Sequence, residues 1–456
     1  MKIQLAMLLT DWLIYLLAVI ALIVIAYIRR HPHLSEPWRR MLQRKSAMIS
    51  MVILACYVII GLVDSIHFEV TQKADGLYVS TRTESLFDLL VGSLAQHEEK
   101  TFSAPFSIHL HSKSLITLPN GKEIQGYPRL QYAGSYLKNE NERGKDIGLR
   151  VVMGIMLGIV TFIPIFSVWL WILVCRHRKK IITIAAWREA MLTFFIIWIF
   201  TWILILLARN YHILGTDQVG RDVFYEALKS IRTGLLIGIL TTLFMLPFAL
   251  ILGMLAGYFS GWVDDIIQYL YTTLSSIPGV LLITATILVL QVYIDSHPQA
   301  FPTIAQRADA RLLALCFILG VTSWASLCRL LRGETLKLRE QEFVQASRSL
   351  GAGSFRILVK HIMPNVVHIV LITVVLDFSL LVLAEAVLSY VGVGVDPTTI
   401  SWGNMINSAR LQLAREPMIW WPLVAAFIFM FILVLAANVY ADAVRDALDP
   451  RLRKTE

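Results

Sequence analysis

The residues with the most definite chemistry lie between two apolar runs: Glu342-Phe-Val-Gln-Ala-Ser-Arg-Ser-Leu-Gly351, then Phe355-Arg-Ile-Leu-Val-Lys-His-Ile-Met-Pro364. Their composition suits adhesion to another macromolecule rather than bond-making. Arg348, Arg356 and Lys360 give the segment a basic face. The Gly351-Ala-Gly353 break divides it into two short helices, the second capped by Ser354 and stopped by Pro364. A two-helix elbow on the basic side of a membrane is built to dock. Glu342, Gln345, Ala346, Ser347, Gly351 and Pro364 are its candidate docking residues.

A second constellation is Leu214-Gly-Thr-Asp-Gln-Val-Gly-Arg-Asp-Val223. Gly215 and Gly220 make a tight turn, and Thr216, Asp217, Arg221 and Asp222 lead into an amphipathic helix. Paired Arg and Asp side chains there would fix the helix at the outer membrane surface. Glu142-Arg-Gly-Lys-Asp-Ile147 echoes Gln218-Val-Gly-Arg-Asp-Val223, either by duplication or by chance.

Asp377 and Glu385 lie eight residues apart in one apolar run, on nearly the same helix face, with Ser379 between them. Acids at mid-bilayer are costly and point to function. A proton or substrate-amine relay is one reading; bonds to neighbouring helices or to a partner subunit are the other. Pro278 interrupts another run and is expected to kink it toward a central cavity. His109 and His111 alternate on a strand-like segment, but two ligands without a third fall short of a metal site.

No GxxxxGK[ST] phosphate loop occurs, so the sequence carries no nucleotide hydrolysis by that machinery. HExxH and GxSxG are missing as well. Cys56, Cys175, Cys316 and Cys328 all fall in or at the end of apolar runs without CxxC pairing, as small hydrophobes rather than ligands.

The elements that must position these residues are membrane spans. The chain of 456 residues is 57% hydrophobic and 16% charged, with mean hydropathy +0.65. Soluble domains are about 25% charged. The net charge of +9 is not a nucleic-acid signature, because Lys and Arg cluster in short loops between apolar runs. Nine spans are expected: Trp12–Ile28, Ala47–Val63, Val151–Val174, Ala190–Leu207, Gly234–Tyr258, Ile266–Leu290, Leu312–Leu327, Val366–Val387 and Trp420–Tyr440. The basic loops Arg29–Lys45, Arg176–Lys180 and Arg329–His361 belong inside, and so does the tail Asp449–Lys454. This places the N-terminus outside and the C-terminus in the cytoplasm. Between spans two and three lies a polar insertion with hairpin signals at Asp75-Gly76 and Asn120-Gly121 and an amphipathic helix near Ser85–Gln96. The fold class is therefore an all-α polytopic membrane protein with a small β-rich extracytoplasmic insertion. Its parts are 1–64, two spans with a basic loop; 65–148, the insertion; 149–210, two further spans; 211–441, the core; and 442–456, the tail.

The elbow resembles the EAA coupling loop of ABC importer permeases, with Gln345 at the family's acidic position and Ser347 at its second alanine. The 214–223 segment is similar to the one before the second core span of dipeptide and oligopeptide permeases. Leu255–Asp264, Glu385–Gly394, Ser401–Met405 and Arg445–Arg451 follow in family order, so the resemblance runs from about residue 211 to 453. It does not cover the insertion or the extra N-terminal spans. It implies a type I importer permease core in a bacterial inner membrane, which pairs with a second permease to form a heterodimer. It also implies two ATPase subunits that bind ATP and Mg, a periplasmic binding protein, and a peptide substrate. Such a chain is no enzyme and binds no cofactor itself. Nickel chelates and antibiotic peptides are alternative cargoes in the family. An ion-coupled secondary transporter using Asp377 and Glu385 is the rival class, though no inverted repeat of broken helices supports it. An ATP-driven pump needs no proton path, which favours the bonded reading of the two acids.

Overall fold

The computed structural model describes residues 2–5, 7–74, 77–92, 94, 97–117, 123–137, 140–177, 184–301 and 303–448. In chain order the elements are β1 (Lys2–Leu5), α1 (Leu9–Arg30), α2 (Pro32–Met41), α3 (Lys45–Asp64), β2 (His67–Ala74), β3 (Leu77–Ser85) and α4 (Leu86–Leu90). Then come β4 (Ser114–Thr117), β5 (Glu123–Gly126), α5 (Arg143–His177), α6 (Ile184–Ala208), α7 (Val223–Phe259), α8 (Trp262–Ser276) and α9 (Gly279–Ser296). The last are α10 (Ile304–Arg339), α11 (Glu342–Ser349), α12 (Ser354–Ile357), α13 (Met363–Val391), α14 (Trp402–Gln412) and α15 (Trp421–Leu448). Among the described residues nine helices are long and apolar enough to cross a membrane.

The chain divides into two compact units. The first comprises 1–7, 18–233 and 400–443. Here α5 and α6 form an antiparallel pair whose close approach depends on Gly154 and Gly158. A Cβ at either would come within 3.1 Å of the α6 backbone at Ile203 or Ile199, the small-residue packing that membrane helices use. The insertion is built from short pieces. β2 and β3 pair as an antiparallel hairpin, as do β4 and β5. The predicted turns at Asp75-Gly76 and Asn120-Gly121 lie outside the described residues, as do the basic residues 178–180 and the tail 449–456. β1 adds to β2 as a third strand, which the sequence reading had not assigned. The predicted helix over Ser85–Gln96 is shorter than expected. Ser85 and Asp88 form a reciprocal capping box, but α4 ends at Leu90, before Gly92. The two echoing segments also fold differently, since 143–147 is already helix whereas 218–222 is a turn.

The second unit comprises 8–17, 234–399 and 444–456. Its core runs along α7, α10 and α13 and includes Met245, Ala249, Ala256, Cys328, Leu331 and Val366. The expected single span Ile266–Leu290 is two helices. α8 ends at Ser276, Ile277 is extended, and Pro278 is the N-cap of α9. Pro278 therefore separates two helices instead of kinking one. A proline disfavours helical geometry in the residue before it, and its missing N–H is harmless at a helix start. α8 is amphipathic and buries Asp264, Ile267 and Tyr271. Arg332 of α10 clasps Asp264 through two hydrogen bonds of 2.5 and 2.7 Å, which hold that carboxyl below its ordinary value.

Candidate functional site

The elbow is rigid behind and bare in front. α11 inserts Val344, 2% exposed, and α12 with the following turn inserts Ile357, Leu358 and Ile362 into the second unit's core. Each such burial contributes roughly 1.5–3 kcal/mol. α11 closes with a Schellman turn: the N–H of Gly351 bonds to Arg348 O at 3.0 Å and that of Ala352 to Ser347 O at 3.1 Å. Gly351 takes the left-handed conformation this turn requires, φ +80°. No atom outside its chain neighbours lies within 4 Å of where its Cβ would be. The glycine thus answers a backbone demand and not crowding within this chain.

The N-cap of α12 is Gly353, without a side-chain cap, and not Ser354, which is the first helical residue. Pro364 does not stop the second helix. Leu358–Ile362 forms a π turn, and Pro364 stands in the first turn of α13, so helix continues from Ser354 to Val391. The wider π turn admits a residue that cannot donate to the preceding turn. Ser347 Oγ and His361 Nε2, 3.3 Å apart, tie the two arms, and Arg339, at the end of α10 that leads into them, donates to Ser260 Oγ beyond the end of α7 at 2.8 Å.

On the open side Glu342, Gln345, Ala346 and Arg348 are all exposed. So are three large apolar side chains that the sequence reading did not single out: Phe343, Leu350 and Phe355, the last two 87% and 79% exposed. Large apolar groups at the tip of an ordered basic loop mark an interaction surface. Their signal in the sequence was a run of apolar residues out of phase with the buried Val344 and Ile357.

The outer motif has the opposite character. Asp217 Oδ1 accepts from the amides of Val219 (2.9 Å) and Arg221 (2.7 Å), closing the turn. Burial raises its carboxyl above the ordinary value. Asp222 Oδ1 accepts from the amides of Phe224 (2.8 Å) and Tyr225 (3.2 Å), which makes it the N-cap of α7. Thr216 exchanges hydrogen bonds with the insertion: its N–H donates to Ser103 O, its Oγ1 donates to Thr101 O, and its Oγ1 accepts from Ser103 N. Trp421 Nε1 donates to Thr216 O at 3.0 Å. Glu99 N–H donates to Gly220 O at 2.9 Å. The Arg–Asp pairing expected within the motif is not what forms. Arg221 meets Glu98 of the insertion at 3.6 Å, because both aspartates are engaged by backbone amides. His212 and Glu99, buried beside Asp222, were missed, since nothing local links them.

The intramembrane acids part company. Glu385 is 2% exposed and accepts from Ser389 Oγ at 2.8 Å. Asp377 is half-buried, beside the exposed Leu376 and Leu380. Eight residues turn a helix by about 80° beyond two full turns, enough to send them to different surroundings. Ser379 is buried, and its hydroxyl has no hydrogen-bond partner among the described residues. His109 and His111 gain no third ligand: no cluster of three or more metal-ligating side chains occurs among the described residues.

Nine apolar helices long enough to cross a membrane, among the described residues, with a two-helix elbow between two of them, define the class as a polytopic membrane protein, and its relatives are transport permeases. Residues 249–454 match the family described as binding-protein-dependent transport system inner membrane component. Over 243 residues the chain is 33% identical to the oligopeptide transport system permease protein OppC of Bacillus subtilis (strain 168), covering 53% of this chain and 73% of that protein. The glutathione transport system permease protein GsiD of Pectobacterium atrosepticum is 33% identical over 244 residues, with the same coverage. The dipeptide transport system permease protein DppC of Bacillus subtilis (strain 168) is 31% identical over 243 residues, covering 53% and 70%. The chain belongs to this family of inner-membrane transport components, as a multi-pass permease subunit.

Proposed function

We propose that the chain is the permease subunit of a bacterial ATP-driven importer for di- and oligopeptides. In this reading it forms the substrate pathway with a second permease, and a binding protein delivers the peptide from outside. The elbow seats in a cytoplasmic ATPase, one of two, which binds ATP and Mg. The observation that carries the reading is the elbow itself: exposed Phe343, Leu350 and Phe355 on a frame fixed by Val344, Ile357 and Ile362. A lever must be stiff behind and adhesive in front, and this segment is both. Glu342, Gln345, Ala346, Ser347 and Gly351 are the proposed coupling residues, with Pro364 at the root of the lever. Relatives named for oligopeptides, glutathione and dipeptides support a peptide cargo. Asp377, Ser379 and the Pro278 break are proposed to lie along the pathway.

The positive-inside pattern supports an external insertion and N-terminus, and the pairing of β1 with β2 supports a shared side for them. A cysteine at exposed Lys113 is then labelled by an impermeant thiol reagent in intact spheroplasts. Labelling only after lysis overturns that orientation.

The energy source is tested in proteoliposomes holding the whole complex and the binding protein. Uptake of peptide follows internal ATP and survives an uncoupler. Uptake driven by an imposed pH gradient without ATP, and lost in Asp377→Asn, would sink the proposal in favour of a secondary transporter.

A further inference from the structure

We infer that Glu99, His212 and Asp222 form a buried ionic lock through which the insertion holds the outer end of α7. His212 is 4% exposed, Asp222 1% and Glu99 5%. The Nδ1 of His212 lies 2.7 Å from Asp222 Oδ2, the same carboxylate that caps α7 through its other oxygen. Its Nε2 lies 3.7 Å from Glu99 Oε1, an ion-pair separation beyond hydrogen-bond reach. With a proton on Nδ1 for Asp222, a neutral ring would turn its Nε2 lone pair toward the Glu99 carboxylate. A second proton removes that repulsion, so two flanking acids select the imidazolium. Glu99 is itself fixed by the amides of Gln131 (3.0 Å) and Tyr132 (2.9 Å), so the charge is tied to the body of the insertion.

The surrounding backbone makes the attachment specific. Glu99 N–H bonds to Gly220 O, Phe106 N–H to His212 O at 3.0 Å, and Gly134 N–H to Asn210 O at 2.9 Å. Three carbonyls of the segment before α7, those of Asn210, His212 and Gly220, are thus taken by the insertion. His212 and Glu99 are positioning residues: they act on α7 through Asp222. The lock stands independently of what the permease carries.

The charged and titratable groups facing His212 are Asp222 from the start of α7 and Glu99 and His97 from the insertion. Burial works to lower the His212 imidazole, but Asp222 and Glu99 outweigh it and lift it to about 9. His97 is shifted the other way, lowered by burial and by the His212 charge. A group raised in the folded state gives its full stabilisation below the unfolded value near 6.5 and loses it as pH climbs through the folded one. The imidazolium's contribution is thus full up to about pH 6.5, declines from there and is lost above about 9.

The test is amide hydrogen exchange of the full chain in lipid nanodiscs, corrected at each pH for intrinsic exchange. Protection of the Glu99 amide holds steady below pH 6.5. It then falls up to about tenfold per pH unit between 6.5 and 9. In His212→Gln the protection is low and its slope in that window is gone; in Glu99→Gln the protection is low and the sloping window narrows, because Asp222 alone then lifts the imidazole. A wild-type profile flat across the window overturns the lock, and so do variants that keep the wild-type profile. A change confined below pH 6.5 assigns the titration to His97 and equally overturns it. If neither variant inserts, the wild-type slope decides alone.

Discussion

Gly220 and Gly351 share a left-handed backbone, φ +86° and +80°, for opposite reasons. A Cβ at Gly220 would lie 1.8 Å from Glu99 O, whereas one at Gly351 would meet nothing within 4 Å. The outer motif is filled from within this chain: the insertion takes Gly220 O and the space beside that glycine, and backbone amides of the motif and of α7 take both aspartates. The elbow leaves its front unfilled and invests its buried residues in the back. One region is finished within this chain, and the other keeps an exposed apolar front, the surface proposed to meet the ATPase. The comparison teaches that resemblance to a family at a motif does not say whether the motif's surface is free.

The largest effect expected is at the filled region. Gly220→Leu must break the left-handed turn and expel Glu99 together, a cost on the order of 4 kcal/mol. Thermal unfolding of the reconstituted protein reads it, and a loss no larger than that of Gly351→Leu erases the contrast.

Ile357→Ala comes next, because it empties a fully buried position behind the elbow. The cavity costs about 2–5 kcal/mol, seen in the same unfolding measurement, and uptake falls with it.

Gly351→Leu strains only the backbone, by about 1–3 kcal/mol. The chain inserts normally while uptake in the assembled complex drops to background. Persistent uptake with ATPases co-purifying stoichiometrically would show that the elbow is not the dock. Phe355→Ala sharpens the point further. Stability stays within about 0.5 kcal/mol, whereas ATPase retention falls by more than about fivefold, as for a contact residue worth over 1 kcal/mol.

The smallest effect is at the outer end of α7. Burial pushes the Asp88 carboxyl up, but Lys229 at 2.6 Å, the Ser85 amide and the Tyr225 hydroxyl outweigh it and hold it below 3.8. A depressed carboxyl contributes stability above its unfolded pKa and loses it as pH falls through the folded one. Asp88→Asn therefore flattens part of the stability loss below about pH 4 and leaves stability between wild type and variant differing only above it.

Much of this protein was legible locally. Nine apolar runs, basic loops between them and the glycine-broken elbow all rest on interactions within about 20 residues, so composition and spacing suffice. The hairpins β2–β3 and β4–β5 were legible for the same reason. Legibility failed where two local signals competed. Pro364 reads as a stop by its missing donor, yet a π turn lets the helix run on. Pro278 reads as a kink, yet α8 peels away as a separate amphipathic helix clasped by Arg332.

The sequence by itself determined the solvent, the apolar helices and the glycine-broken two-helix elbow, because hydrophobic length and charge asymmetry act residue by residue. Only the tertiary structure decided which polar groups meet. His212 and Asp222 stand ten positions apart, but Glu99 reaches them from more than a hundred residues away, across two membrane helices. Nothing in the spacing of Glu99 distinguishes it from its neighbour Glu98, which remains exposed at the rim with Arg221. Burial decides between them, since a carboxylate taken out of water must find a partner charge or amide, and only the folded chain supplies one.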